Sequence, residues 1–366
     1  MKKYVIVSTY PETGSKNIGD QLITTALVNL LKFVKGDEIS ISTVWREQDW
    51  DEIKEELNNA DAIIFACLAI RKSMHCKEYP YLDKIIELNT PVAVIAAGTS
   101  LDVTKSKESA YEDFSKETLL LLEKLDKKCL FFTTRGYLTQ AFCERINMNN
   151  THFSGDVAFF DETYGAKKFE PNKIIKKIVI SDPHRAKMYL NSFDSLVKGM
   201  RELYPTAEIT VALHGNEPTI EAYAIREGLK VSKIYENRYE GLRIYDNADL
   251  HVGYRVHAHV SALKRRVYSY LLEQDGRGCD YGLTLEKKIS VPNYLPSSRF
   301  KLLNLADRVM LKFFGFNTCK ASTVEVEEMI ALIKNDSNYG FIKFNKLEEQ
   351  ICGFSTKLTE SIKQLP

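Results

Sequence analysis

The sequence predicts an α/β protein built from two Rossmann-like lobes that face a central cleft, followed by C-terminal helices. Its 366 residues exceed what one hydrophobic core usually covers. A content of 44% hydrophobic and 27% charged residues is typical of a folded globular protein. Short β-branched runs alternate with amphipathic segments, as in parallel sheets covered by helices, and this alternation stops at a polar stretch and then starts again.

The first lobe is predicted to span residues 1–165. Its predicted strands are Tyr4–Thr9, Ile39–Val44, Ala62–Leu68, Val92–Ala97 and Cys129–Thr134. Its predicted helices lie near Gln21–Phe33, Asp51–Asn58, Tyr81–Glu87, Tyr111–Leu125 and Leu138–Ile146. The lysine-rich stretch Tyr164–Lys177 contains Gly and Pro, so we expect it to cross between the lobes.

The second lobe is predicted to span residues 175–297, and a helical segment is predicted at 298–366. The predicted strands are Ile178–Ser181, Glu208–Leu213, Leu229–Ile234, Leu250–Val252 and Val267–Leu272. The predicted helices are Ser192–Leu203, Thr219–Glu227, Glu240–Tyr245, Val256–Leu263, Phe300–Phe314, Thr323–Lys334 and Lys346–Gln364. Two such lobes predict a ligand site between them, outside the carboxyl ends of the strands.

Charge and hydropathy exclude several classes of protein. The net charge is only +1, whereas a general nucleic-acid binder needs a dominant basic field, so no nucleic-acid partner is expected. The start lacks the cleavage site of a signal peptide, and no apolar run reaches the roughly 18 residues that span a bilayer. These features predict a cytoplasmic protein. The seven cysteines form no C-x-x-C pair, which predicts buried thiols and no metal site.

Four residues near the ends of first-lobe strands are candidates for ligand binding, and each has a structural alternative. Asp20 either caps the helix that follows it or contributes to an anion site there. Gly98 permits the close approach of a ligand or of the other lobe, and a tight turn explains it equally well. Arg135 either faces the cleft or pairs with a local carboxylate. Asp156 either orients Arg135 or caps a turn.

In the second lobe, cationic residues follow two of the predicted strands. His184 and Arg185 follow the first strand, and either bind an anion or lie in a solvated loop. Glu273 and Arg277 follow a later apolar strand as an acid–base pair that completes the same cleft.

The densest group of such residues is Leu250–His259, where a strand ends at Gly253 and a helix begins around Arg255. Arginine binds carboxylate or phosphate oxygens with two parallel hydrogen bonds, and histidine exchanges protons near neutral pH. Arg255 and His257 are therefore predicted to bind a phosphorylated acid and act on it. The alternative is a packing arginine beside a hydrogen-bonded core histidine.

Five segments of the sequence stand in a characteristic order. They are NIGDQL (17–22), TTRGYLTQAF (133–142), GDVAFF (155–160), GYRVHAHVSAL (253–263) and YSYLLEQDGRG (268–278). Taken in this order, they resemble the polysaccharide pyruvyl transferase family over roughly residues 17 to 285, and most of the resemblance lies in the R-x-H-A element at Arg255–Ala258. The resemblance implies a glycosyltransferase-B-like fold, in agreement with the strand–helix alternation.

The resemblance also implies a reaction. The enolpyruvyl group of phosphoenolpyruvate moves onto two hydroxyls of a sugar, which gives a cyclic pyruvate ketal and releases phosphate. No metal or organic cofactor is implied beyond the donor substrate. Arg255 would hold one anionic group of the donor and Arg135 the other. His257 would be the general acid that protonates the methylene carbon.

For the remaining matched positions the resemblance implies weaker roles. Asp156 would be structural or orienting, whereas Asn17 and Asp20 would face the acceptor. The sequence departs from the family pattern at three positions. Gly136 stands where an acid is expected, Val157 where proline is commoner, and Arg277 where lysine is commoner.

Acceptors in this family include lipid-linked sugars, which raises the prospect of peripheral membrane contact at the inner face. Residues 298–316 mix four basic residues with leucines and phenylalanines, as in a helix lying on an anionic bilayer, although a buried core helix gives the same pattern. Two other functions stay open. One is a glycosyltransferase that uses a nucleotide sugar, and the other is a non-catalytic binding homologue.

Overall fold

The computed structural model describes residues 1–10, 18–237, 240–296 and 319–366, apart from the side chains of Lys107 and Glu108. The predicted helix Phe300–Phe314, the possible membrane segment 298–316 and Asn17 lie outside these residues. Among the residues described, no helix is both long enough and apolar enough to cross a bilayer.

The first lobe contains a parallel sheet in the order β2-β1-β3-β5-β6-β7, with β4 paired to β5. Its central strands β3 and β5 are buried along their whole length, as their continuous apolar sequences require. The strands are β1 Lys2–Ser8, β2 Ile39–Trp45, β3 Ala62–Ala66, β4 Ala69–Ile70, β5 Val92–Thr99, β6 Cys129–Thr134 and β7 Thr151–Phe153.

In the part of the first lobe that the structure describes, seven helices accompany this sheet. They are α1 Ile18–Lys35, α2 Trp50–Asn58, α3 Leu82–Glu87, α4 Lys107–Glu112, α5 Lys116–Lys128, α6 Tyr137–Arg145 and α7 Glu162–Gly165. The single helix predicted at Tyr111–Leu125 is wrong, because Ser115 starts a new helix by accepting a hydrogen bond from the Thr118 N–H.

The second lobe contains a parallel sheet in the order β10-β9-β8-β11-β12-β13. Its strands are β8 Lys177–Ser181, β9 Glu208–Leu213, β10 Lys230–Lys233, β11 Leu250–Gly253, β12 Tyr268–Glu273 and β13 Ser290–Pro292. Its helices are α8 Ala186–Leu203, α9 Pro218–Arg226, α10 Val256–Lys264 and α11 Gly276–Thr284, while Gly241–Asn247 forms a 3-10 helix. The prediction of two lobes with parallel sheets is confirmed.

From residue 319 onward, two C-terminal helices divide between the lobes. The helix α12 Val324–Asn338 packs on α8 of the second lobe, and α13 Phe344–Lys363 packs on α1 of the first. The Lys35 ammonium donates to the carbonyl oxygen of Leu365 (2.5 Å), and Gly155 leaves no room for a side chain against Phe354. The C-terminal helices thus tie both lobes together.

The order of the strands in each sheet indicates where the cleft lies. In the first sheet the order reverses between β1 and β3, and in the second between β8 and β11. Ligands in open parallel sheets bind beyond the carboxyl ends of the strands at such reversals. The residues that follow β1, β3, β8 and β11 are therefore the candidates for a ligand site.

Candidate functional site

Arg255 follows β11 at the strand reversal of the second sheet. It lies at the N-cap of α10, and the ends of its strand and of β8 are paired at Gly253 and Ser181. Its Nε donates to Asp182 Oδ1 (3.2 Å) and its Nη2 to Oδ2 (2.5 Å), while Glu217 lies 3.8 Å from Nη2. Asp182 is fully buried, so this pair fixes the guanidinium in one orientation.

A chain of hydrogen bonds supports this turn from behind. Ser181 Oγ accepts the N–H groups of Tyr254 (3.1 Å) and Arg255 (3.2 Å). Its own proton therefore points to Nε2 of the buried His251 (3.0 Å), which assigns the ring proton of His251 to Nδ1, beside Ser269 Oγ (2.7 Å). The backbone that carries Arg255 is thus held by side chains of its own lobe.

His257 lies in the first turn of α10, at the boundary between the lobes. A Cβ atom on Gly19 of the first lobe would lie 1.9 Å from His257 Nδ1, so only glycine lets the lobes approach this closely. The His257 Nε2 is buried and has no hydrogen-bond partner among the described residues. Burial, and then the positive charges of Arg135, Arg277 and Arg255, lower the pKa of His257 to about 3. The imidazole is therefore neutral at neutral pH.

A cavity of about 50 Å³ lies at this edge of the second sheet. It brings together four of the residues that the sequence nominated: His184, Arg255, His257 and Arg277. The other lining residues are His214, Tyr254, Val256, Gln274 and Asp275. Arg277 is held by Asp275 (2.6 Å), which also caps α11. Burial, and then the charges of Arg255, Arg277 and Arg185, lower the pKa of His184, while the charge of Asp275 opposes this shift.

Arg185 has a different environment. It is exposed, takes a left-handed backbone conformation (φ 63°) and starts α8. The helix predicted to begin at Ser192 therefore begins six residues earlier, at Ala186. Arg185 contributes charge to this edge, since its field helps to lower the pKa of His184.

From the first lobe, Arg135 follows β6, and its charge is among those that lower the pKa of His257. Gly98 packs directly on it, since a Cβ atom there would lie 2.4 Å from the guanidinium carbon. The Arg135 guanidinium lies 5.9 Å from the ring centre of Tyr281 in the second lobe. Its Nε is buried without a hydrogen-bond acceptor among the described residues. Arg135 is thus a fixed cation with an unused donor.

The first-lobe acids lie around Cys67, at the strand reversal of the first sheet. Asp156 is buried, accepts the Ala158 N–H (2.8 Å), and accepts the Tyr281 hydroxyl from the other lobe. Asp20 lies in the first turn of α1, and its charge, together with burial and Asp156, raises the pKa of Cys67. Asp156 thus caps the short 3-10 helix Val157–Phe159 and also accepts a hydrogen bond from the second lobe.

Glu273 lies away from this cluster. Its two carboxylate oxygens accept the hydroxyls of Ser290 (2.6 Å) and Tyr294 (2.5 Å), and burial raises its pKa. The structure therefore does not bring Glu273 into the cavity where the sequence prediction placed it. Among the described residues, no group of three or more His, Cys, Asp or Glu residues has the arrangement of a metal site.

The sequence analysis did not identify residues that contact the site from distant positions in the sequence. Asp182 and Gly19 were passed over although each touches a nominated residue, Arg255 and His257 respectively. Asp280 and Tyr281 were missed because α11 was not predicted. A usable signal was present for α11, since Asp275 is a typical N-cap residue before a run of nine residues that ends at Thr284.

One protein family matches most of this chain. A family model described as polysaccharide pyruvyl transferase matches residues 17–274, which include β3, β8 and β11 but not β1. No curated protein matches the sequence.

Several solved structures resemble the chain at low identity. UDP-GlcNAc 2-epimerase from Neisseria meningitidis is 11% identical over 90% of this chain and 94% of its own, with a TM-score of 0.45. The epimerase from Methanocaldococcus jannaschii is 11% identical over 92% and 100%, with a TM-score of 0.47. The wall teichoic acid polymerase TagF is 12% identical over 99% and 88%, with a TM-score of 0.43. At these scores none of them bears on the ligand of this chain.

Proposed function

The chain belongs to the polysaccharide pyruvyl transferase family, and we propose that it transfers the enolpyruvyl group of phosphoenolpyruvate to a sugar of a surface polysaccharide or its precursor. The products would be a pyruvate ketal and inorganic phosphate. The observation that carries the proposal is the cavity that Arg255 and Arg277 line together with His257, whose pKa the charge of Arg135 also lowers. Three guanidinium groups suit a small donor that bears both a carboxylate and a phosphate.

Donor binding is proposed to use the two lobes together. Arg255, oriented by Asp182, binds one anionic group, and Arg277 adds charge at the mouth of the cavity. Arg135 offers its buried Nε donor to the other anionic group from the first lobe. Such a donor would satisfy a polar atom that otherwise lies buried without a partner, and this favours binding.

Proton transfer is proposed to depend on the bound donor. In the free protein the three arginines and burial keep His257 neutral. A bound carboxylate and phosphate would offset that positive field and raise the pKa of His257, so that the ring gains a proton only when the donor is present. The proton then moves from His257 to the methylene carbon, C3, and an oxocarbenium-like centre forms at C2.

The remaining bonds balance the reaction. One sugar hydroxyl adds to C2 and its proton returns to the His257 ring. The bond between C2 and the phosphate oxygen then breaks, the second hydroxyl adds to C2, and its proton leaves with the phosphate. Asp20, and Asn17 outside the described residues, are proposed to face this acceptor, and Asp156 to orient the first-lobe side. The acceptor is proposed to be a sugar or a lipid-linked oligosaccharide, handled in the cytoplasm or at the inner face of the membrane through residues 298–316.

Calorimetric titration with phosphoenolpyruvate alone tests the donor class. We expect the wild type to bind it and Arg255→Ala to lose binding, because the variant removes the oriented guanidinium. Arg243→Ala is the matched control, since Arg243 is an exposed second-lobe arginine that pairs only with Glu240 among the described residues (3.1 Å), and it should bind as the wild type does. A wild type that binds a uridine or guanosine diphosphate sugar but not phosphoenolpyruvate would replace the proposal with a glycosyltransferase.

A further inference from the structure

The N-terminus of α6 is completed by the other lobe. This helix begins two residues after Arg135, and its N-cap residue, Gly136, has no side chain to offer the first backbone N–H groups. The Leu138 N–H instead donates to Asp280 Oδ1 (2.8 Å) of α11, and the Tyr137 N–H donates to Thr284 Oγ1 (3.0 Å) of the same helix. Helix termini need such acceptors, and here they come from across the cleft.

Asp280 is built into this position. Its side chain is fully buried, and its second oxygen accepts the Thr139 hydroxyl (2.6 Å). A Cβ atom on Gly136 would lie 2.1 Å from Asp280 Oδ1, so glycine at the N-cap makes room for the carboxylate. The Asp280 charge also favours the cationic form of Arg135.

One helix therefore serves both sides of the cleft. Arg277, in the first turn of α11, lines the cavity of the second lobe. One turn further on, Asp280, Tyr281 and Thr284 bond the first lobe, while Gly276 packs against the backbone carbonyl of Leu101. If the lobes separated, these bonds would break together with the approach of Arg135 to His257.

We propose that Asp280 is a positioning residue that caps α6 from the opposite lobe and so holds Arg135 over the anion site of the second lobe. The inference rests on the proposed function only for the identity of the anion. Asp280 itself does not touch the donor. Its effect on affinity is through the population of the closed arrangement, since the apparent dissociation constant rises as that population falls.

Two variants separate this role from simple helix capping. Asp280→Ala removes the cap and the two hydrogen bonds that Asp280 accepts from the first lobe. The double variant Gly136→Asp/Asp280→Ala keeps one carboxylate at the start of α6 but supplies it from the first lobe. The extended backbone at position 136 (φ −154°, ψ 164°) suits an N-cap aspartate, and the atoms nearest to its Cβ are all from the Asp280 carboxylate that the variant removes.

The first measurement needs no donor. The Tyr137 amide reports on the link between the lobes, because its acceptor, Thr284, is unchanged in both variants and lies in the other lobe. We expect hydrogen exchange at Tyr137 to be slow in the wild type and at least about tenfold faster in both variants, even where the double variant recovers the melting temperature. Exchange at Tyr137 that stays slow in Asp280→Ala, or returns to the wild-type rate in the double variant, overturns the proposal.

The second measurement is titration with phosphoenolpyruvate. We expect an affinity about tenfold weaker in both variants, as a fall of the closed population to about a tenth would give. Affinity restored with the melting temperature in the double variant would leave Asp280 a capping residue only. If the wild type does not bind phosphoenolpyruvate, the donor proposal fails while the exchange data still decide the link. If Asp280→Ala does not fold, Thr284→Val removes the other bond, and unchanged affinity there overturns the proposal.

Discussion

The two sides of the cleft are held in different ways. On the second-lobe side, Arg255 is fixed by Asp182 and by a serine–histidine chain, all from its own lobe. On the first-lobe side, Arg135 has a buried Nε without an acceptor among the described residues, lies near the ring of Tyr281, and precedes a helix capped by Asp280. The proposed anion-binding residue of the second lobe is thus oriented by its own lobe, whereas the contribution of the first lobe depends on contact with the second.

The difference between the supports of Arg255 and Arg135 indicates the order in which the two lobes would bind a ligand. A preformed half binds an anion without reorganising, and enclosure follows when the second half meets it. The protonation state of His257 also depends on contact between the lobes, because one of the three arginines that lower its pKa, Arg135, comes from the first lobe.

The largest expected effect on stability comes from a substitution beside Arg255 in the second lobe. Asp182→Ala removes the fully buried partner of Arg255 and the acceptor of the His214 N–H (2.9 Å). Loss of one partner of a buried ion pair costs about 3 kcal/mol or more, so we expect the free energy of unfolding in urea to fall by about that amount.

The matched control for this loss is Asp275→Ala. Asp275 pairs with Arg277, but both side chains are about 40% exposed, so the pair contributes little and the cap of α11 accounts for a loss of about 1 kcal/mol. Equal losses in the two variants would mean that Arg255 is no more firmly held than a surface arginine, and the comparison between the lobes would fail.

The dependence of stability on pH tests the state of His257. Its pKa is about 3 in the folded protein and near 6.5 when unfolded, so below about pH 6.5 the unfolded chain binds the additional proton. We therefore expect the free energy of unfolding to fall as the pH drops from about 6.5 towards 3, by at most about 1.4 kcal/mol per pH unit for this group.

Comparison with His257→Gln isolates that contribution. The variant should lose stability less steeply over this pH range, whereas His152→Gln, at an exposed position, should follow the wild type. The buried His214, His251 and His259, whose pKa values burial also lowers, give the background slope that all three proteins share. Identical slopes in wild type and His257→Gln would show that His257 is not held neutral.

Much of this organisation is readable in the sequence, for a physical reason. The turn at Gly253–His257 is local, with a strand end, a glycine and a helix start in consecutive residues, so its position at the cleft follows from pattern alone. The partners of these residues are distant in sequence. Asp182 meets Arg255 only because β8 and β11 are neighbours in the sheet, and strand order is not a property of either segment.

The helix α11 shows why the rest was missed. Three glycines in its nine residues oppose helix formation, so propensity argued against it. The structure explains them by close approach, with Gly276 against Leu101 and with Gly278 and Gly282 against Glu273. Gly136 has a related explanation, since the Asp280 carboxylate occupies the space that a side chain at position 136 would need.

The smallest expected effect is on ligand affinity and comes from a substitution beside Arg135 in the first lobe. Gly98→Ala places a Cβ atom 2.4 Å from both the Nε and the guanidinium carbon of Arg135, so the side chain must move away from its site. We expect affinity for phosphoenolpyruvate to fall roughly tenfold, which corresponds to about 1.4 kcal/mol. Gly353→Ala, where nothing lies within 4 Å of the added atom, is the matched control and should bind as the wild type does. Arg255 keeps its hydrogen bonds to Asp182 in Gly98→Ala, so some binding of phosphoenolpyruvate is expected to remain. A complete loss of binding would show that Arg135, not Arg255, contributes most to holding the donor.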